Sequence, residues 1–182
     1  MASNAPYDDS SESFDIEKFK QVLQYIILKT SSTDNVGKTV LYKILYFIDF
    51  NYYELFEEKL TGETYLKYPY GPAPRDFDDA ISELKGERLI KEKKWIDGRY
   101  NRIKYLSAGE PKISKITKEE LDFIDKNIDK YSRFNATQIS EHSHKDIPYI
   151  TAEDFEEIDY ELVFYRDPEL SVRTYDDIDD GC

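Results

Sequence analysis

The sequence predicts an α+β protein, mainly α, a helical domain carrying a small antiparallel β-hairpin or sheet. Three observations carry that expectation. Apolar residues recur at helical spacing along most of the chain. Two strand-forming runs flank Asp97-Gly98, a strong turn dipeptide. The first half then reads α-α-α-β-β, the order of a winged helix.

Each element has its own signal. Asp15 caps a helix whose apolar face is Ile16, Phe19, Leu23, Ile26 and Ile27, running to about Lys29. Turn formers occupy 30–35, and a longer helix fills roughly 37–57. That helix is apolar most of the way round, with Tyr42, Tyr46, Phe47, Phe50, Tyr52, Tyr53 and Phe56, and so belongs at the centre of the fold. Tyr65–Tyr68 reads as a short extended piece. Pro69-Tyr70-Gly71-Pro72-Ala73-Pro74 cannot be helical, because its prolines fix their own φ and push the residues before them extended. A third helix over about 74–85 carries Phe77, Ile81 and Leu84, with Gly86 at the place of a left-handed cap. The hairpin pairs Leu89–Ile96 with Tyr100–Leu106. Thr117-Lys-Glu-Glu120 is a capping box opening a helix that ends near Tyr131. Asn135 caps a short helix to about His142, and Thr151 with Asp154 caps a last one, Phe155 to about Tyr165.

The 182 residues divide into a disordered or tag-derived N-terminus (1–13), one domain (14–167) and an acidic C-terminal tail (168–182), with 174–182 expected to be disordered or to fold only on a partner. The formal net charge is −13, but residues 1–17 hold −5 and residues 152–182 hold −10, so the middle sums to +2. Acidity alone therefore does not exclude nucleic acid from the middle. One cysteine, Cys182, permits no intrachain disulfide. No apolar run approaches the ~18–20 residues that span a bilayer, and the N-terminus is acidic. These features predict neither signal peptide nor membrane helix, and a cytoplasmic location. Oligomeric state is left open.

Few constellations suggest chemistry. Val36-Gly-Lys-Thr39 lacks the earlier glycine and the preceding strand that a phosphate loop needs, and reads as a helix start. His142 and His144 stand two apart, on different sides of a helix, with no further ligands enforced. No nucleophile elbow is present, and carboxylate pairs are uninformative in so acidic a chain. The expectation is no catalytic residues, no cofactor and no metal: a protein that is not an enzyme.

The basic stretch 85–104 is a better lead. It holds eight bases against three acids, with Trp95 and Tyr100 interleaved. In a winged helix this is the wing, so Lys91, Lys93, Lys94, Arg99 and Arg102 are candidates for weak phosphate contact. The structural alternative is an edge hairpin that uses cations to block edge pairing. The third helix argues against DNA reading, since Arg75 faces Asp76, Asp78, Asp79 and Glu83.

Four motifs occur in order: the aromatic helix Leu41-Tyr-Lys-Ile-Leu-Tyr-Phe-Ile-Asp49-Phe, the turn Leu60-Thr-Gly-Glu-Thr-Tyr65, the elbow Tyr68-Pro-Tyr-Gly-Pro-Ala-Pro74 and the helix Phe77 to Leu84. Ile139-Ser-Glu-His142-Ser-His144 follows. Over roughly residues 18–165 the chain resembles the Panacea domain, the SocA-like antitoxin family long catalogued among phage-associated proteins. The resemblance implies a mostly helical fold with a small antiparallel sheet. It implies an antitoxin of a toxin–antitoxin system that neutralises a cognate toxin by direct protein contact. The family positions fall on Lys43, Tyr46, Asp49, Thr61, Gly62, Tyr65, Tyr70, Gly71, Pro72, Pro74 and His144, with Ile44 replacing a family leucine.

Gly71 permits a bend that a β-carbon would strain, and its prolines stiffen it, so the elbow can hold tyrosines on a rigid platform. Tyrosine offers large area, few rotors and a polar tip, which suits a protein interface. The candidate partner-binding residues are Tyr46, Asp49, Tyr65, Tyr68, Tyr70, Gly71, Pro72, Arg75 and His144.

Overall fold

Residues 14–174 are described by the structure, a computed structural model. The expected disordered or tag-derived N-terminus over 1–13 and the part of the tail from 175 onward lie outside the described residues. Asp15 opens α1 (Ile16–Thr30), its carboxylate accepting the Lys18 amide at 3.1 Å. Gly37 begins α2 (Lys38–Phe56), where a β-carbon would meet the Ile103 carbonyl oxygen at 3.0 Å. The glycine there admits a neighbouring strand rather than a phosphate.

Helix α2 is the centre of the molecule. Val40, Leu41, Ile44, Leu45, Tyr46, Phe47, Ile48 and Phe50 are all buried, which is why its aromatics run round more than one face. After it come the strands β1 (Tyr65–Tyr68) and β2 (Gly71–Pro74), then α3 (Phe77–Gly86), β3 (Ile90–Asp97), β4 (Tyr100–Ser107), α4 (Lys118–Tyr131), α5 (Ala136–His144) and α6 (Ile147–Thr151). A 3-10 helix, Tyr160–Tyr165, follows. The fold is α+β, mainly α, with two separate two-stranded antiparallel sheets. Helix α2 packs against α1, β2, α4, α5, β4 and the 3-10 helix.

The strand β1 pairs with β2 in the register Tyr65↔Pro74 to Tyr68↔Gly71. Residues 155–158 line its other edge: Phe155 N–H donates to the Lys67 carbonyl at 2.7 Å, Lys67 N–H to Glu156 at 3.0 Å and Ile158 N–H to Tyr65 at 2.8 Å. Proline is tolerated in β2 because β2 is an edge.

Several expectations need correction. Residues 155–165 do not form a helix opened by Thr151 and Asp154. Pairing with β1 satisfies the backbone of 155–158 first, and Asp159, not Asp154, caps the 3-10 helix. Gly86 is the last helical residue of α3, and Arg88 takes the left-handed conformation at φ 60°. Arg88 N–H bonds to Lys85 O and Leu89 N–H to Leu84 O, both at 3.0 Å, which is a Schellman closure with arginine where glycine is usual. The two-residue loop of the second hairpin is Gly98-Arg99, one place later than the dipeptide suggests, with Gly98 at φ 61°. The strand β2 and the helix α6 are additional elements, and β1–β2 stands between the second and third helices of the winged-helix order.

Other boundaries follow their caps. Thr117 and Glu120 form the capping box of α4, and Asn135 with Gln138 forms another on α5. Residues beyond Pro168 continue onto the fold: Leu170 is buried, and Ser171 Oγ donates to Glu54 at 2.7 Å.

Candidate functional site

The elbow rests on a buried polar frame. On α2, Asp49 accepts the Thr61 amide at 3.1 Å, the Thr61 hydroxyl at 2.7 Å and the Tyr65 hydroxyl at 2.5 Å. Burial pushes the Asp49 carboxyl up to about 6 although these three donors favour its charged form. Three residues earlier on the same helix, Tyr46 donates to Asp146 at 2.8 Å.

Asp146 begins α6 and is gripped by Arg166, whose Nε and Nη2 each donate to one of its oxygens at 2.8 Å. The remaining Arg166 nitrogen, Nη1, reaches Asn51 Oδ1 at 2.8 Å and Glu54 Oε1 at 3.1 Å. Asn51 passes the chain of bonds to Asn127 and Tyr131, both at 2.9 Å, so α2, α4, α6 and the 3-10 end share one network.

A second group lies at the foot of the hairpin. Glu63 is fully buried and accepts the amides of Thr64 at 2.7 Å and Asp76 at 3.1 Å. Burial and then the neighbouring Asp76 carboxylate push its carboxyl up to about 8. Asp76 Oδ2 is a sealed oxygen without a hydrogen-bond partner, and a protonated Glu63 offers the donor it lacks.

Above this frame the hairpin presents aromatic surface. Tyr70, in the Pro69-Tyr70 loop, is 79% exposed, and Tyr68 is 42% exposed. Tyr68 meets Phe155 edge-on with ring centroids 5.6 Å apart. Phe155 is 61% exposed and sits at φ 66°, a conformation that bulky side chains rarely adopt. Ile150, at 51% exposure, adds apolar surface. Lys67 clamps the loop beneath by donating to the carbonyls of Ala152 at 3.0 Å and Ile150 at 3.3 Å. Tyr149 locks the tip, donating to the Tyr68 carbonyl at 2.7 Å, and His144 stacks on the Tyr149 ring at 5.0 Å.

Gly71 explains why the elbow closes so tightly. Its φ is 115°, and an added β-carbon would lie 2.6 Å from Lys43 Cε and 2.7 Å from Ser143 Oγ. Helices α2 and α5 thus both press on the elbow backbone.

The sequence candidates divide accordingly. Tyr68 and Tyr70 lie on the exposed face, with exposed His144 beside them. Tyr46, Asp49 and Tyr65 are buried frame members whose hydroxyl and carboxyl groups are already bonded. Gly71 and Pro72 are buried and shape the bend. Arg75 is exposed but stands beyond the far end of β2, with its guanidinium 3.5 Å from Asp76. Ile150 and Phe155 carried no sequence signal, because their place in the site depends on pairing with a strand some eighty residues earlier.

The alternative surface is the second hairpin. Lys91, Lys93, Lys94, Arg99 and Arg102 are exposed there, as are Trp95, Ile96 and Tyr100. Lys104 is not: it is buried and donates to the carbonyls of Thr30, Thr33 and Val36 at 3.4, 2.7 and 3.2 Å. Glu92 accepts from Lys85 at 2.9 Å, and Lys94 lies 3.7 Å from the same carboxylate. No described helix is long and apolar enough to cross a membrane.

Fold and site together define a mainly helical α+β domain that holds one aromatic hairpin rigidly at its surface. A family model described as antitoxin SocA-like, Panacea domain, matches residues 41–148, a span that begins on α2, includes both hairpins and ends in α6. The chain belongs to that family. No curated protein and no solved structure matches it.

Proposed function

We propose that this protein is the antitoxin of a toxin–antitoxin pair and that it neutralises its toxin by direct contact through the Tyr68–Tyr70–Phe155 surface. The observation that carries the reading is an exposed aromatic cluster held by a frame whose own polar groups are spent internally. Rigid aromatic side chains lose little freedom on binding and supply the anchors of protein interfaces. The protein acts by binding, without a catalytic step or cofactor, in the cytoplasm; residues 14–167 form the binding domain, and the acidic charge of the two ends complements a basic surface of the toxin.

Co-expression with the product of the neighbouring gene tests it. Growth arrest by that product should be relieved by this chain, and the two should co-purify as a complex. Failure of both overturns the proposal.

A second reading rests on the exposed cations of the second hairpin: weak, salt-sensitive contact with nucleic acid. Acidic α3, with Asp78 and Asp79 exposed, limits it. A gel shift on the promoter of this gene at low salt, lost in Lys93→Glu/Lys94→Glu, would support that contact, and no shift at low salt would sink it.

A further inference from the structure

Buried cations in this fold are spoken for, with one exception among the described residues. Lys20 is paired with Glu17, Glu83 and Glu87. Arg166 holds Asp146 and Glu54, and Lys104 holds three carbonyls. Lys43 is 2% exposed, yet its amine makes no hydrogen bond or ion pair with any described residue. Its one ring contact is Tyr42, 5.8 Å from Nζ to the centroid. The nearby Ser143 hydroxyl donates to Ser140 O at 2.8 Å and makes no hydrogen bond with the amine.

The lysine sits directly beneath the elbow. A β-carbon on Gly71 would lie 2.6 Å from its Cε and 3.1 Å from its Nζ, so the elbow backbone runs against the end of the side chain. The residue keeps only a small residual accessibility. Burial alone pushes the amine down to about 8, which leaves it mostly charged at neutral pH. An unpaired buried ammonium destabilises the free protein, and a partner that brings the missing anion recovers that cost on binding.

We infer that Lys43 is the cation of a carboxylate receptor in the elbow, taking an Asp or Glu side chain of the toxin while the flanking apolar residues of that segment pack on Tyr70 and Phe155. The inference rests on the toxin-binding reading and adds to it the chemistry of the partner. A single ammonium between Gly71 and Ser143 suits one carboxylate; a phosphate is usually met by a cluster of arginines or backbone amides.

The test has an arm that needs no toxin. In the full chain with 13C-labelled lysine, the Lys43 εCH2 resonance is identified by its loss in Lys43→Met. Acetate at pH 7 should shift it saturably, whereas acetamide should not. No saturable acetate shift overturns the inference, and tighter saturation by inorganic phosphate overturns it in favour of a phosphate ligand. In the second arm, Lys43→Met alone should melt at a higher temperature than the natural chain yet bind the toxin on the order of tenfold or more weakly. Unchanged affinity overturns the inference while leaving the antitoxin reading intact. If the natural chain binds no toxin, the antitoxin reading falls and the acetate titration alone decides.

Discussion

The two hairpins of this protein are built alike and supported differently. Both are antiparallel pairs with two-residue loops, but β2 is buried along its whole length, whereas six of the eight residues of β3 and the first three of β4 are exposed. The first hairpin is fixed by hydrogen bonds to α2, α6 and residues 155–158. The second projects from the core and carries mainly ion pairs at its surface, such as Lys85–Glu92 and Arg102–Asp97. Exposed pairs of that kind contribute about 0–1 kcal/mol each. The difference separates a hairpin whose shape is set in advance from one whose value lies in its charge.

The sharpest way to break that contrast is Arg166→Met. It leaves Asp146 and Glu54 buried without their cation, and should cost about 3–5 kcal/mol of stability, read by urea denaturation. Charge changes on the second hairpin should do nothing comparable. Next, Tyr70→Ala with Phe155→Ala should lower toxin affinity by about 2–4 kcal/mol in a calorimetric titration, while Tm stays nearly constant. A matching fall in Tm would make these rings structural rather than interfacial.

Gly71→Ala probes the closure of the elbow itself. Its left-handed φ and the approach of Lys43 and Ser143 predict a loss of about 1–3 kcal/mol. Glu63 adds a pH signature. Its carboxyl stands at about 8 when folded against an ordinary 4.5, so the folded state keeps a proton that the unfolded chain has released. Stability should therefore fall as pH rises through that window, by roughly 1–2 kcal/mol between pH 6 and 8, and Glu63→Gln should flatten the slope. Smallest of all, Lys93→Glu/Lys94→Glu should change stability by about 0.5 kcal/mol or less and leave toxin neutralisation intact.

Local signals were the legible part. The Asp15 cap, the Thr117–Glu120 box and the buried length of α2 could be read because each depends on residues a few positions apart. The elbow too announced itself through its prolines and Gly71. What could not be read were the long-range partners. Phe155, Ile158 and Leu162 keep helical spacing behind plausible caps, yet the free edge of β1 captures 155–158. Arg166 and Asp146 are 20 residues apart, and nothing in their local sequence marks them as a pair. The same limit explains the site. Tyr46, Asp49 and Tyr65 look like interface residues in a motif, and only the packed fold shows their polar atoms turned inward.

The Arg166 cluster also imposes an order on synthesis. The ribosome delivers Asn51 and Glu54 early and Asp146 about ninety residues later, with the cation that reconciles them twenty residues later still. Until Arg166 emerges, the nascent chain must keep α2 open or hold two acids in a half-built interior. The final consolidation of this core is therefore tied to the arrival of one arginine more than a hundred residues after α2, and Ser171 and Val172 then close over Glu54 from the same segment.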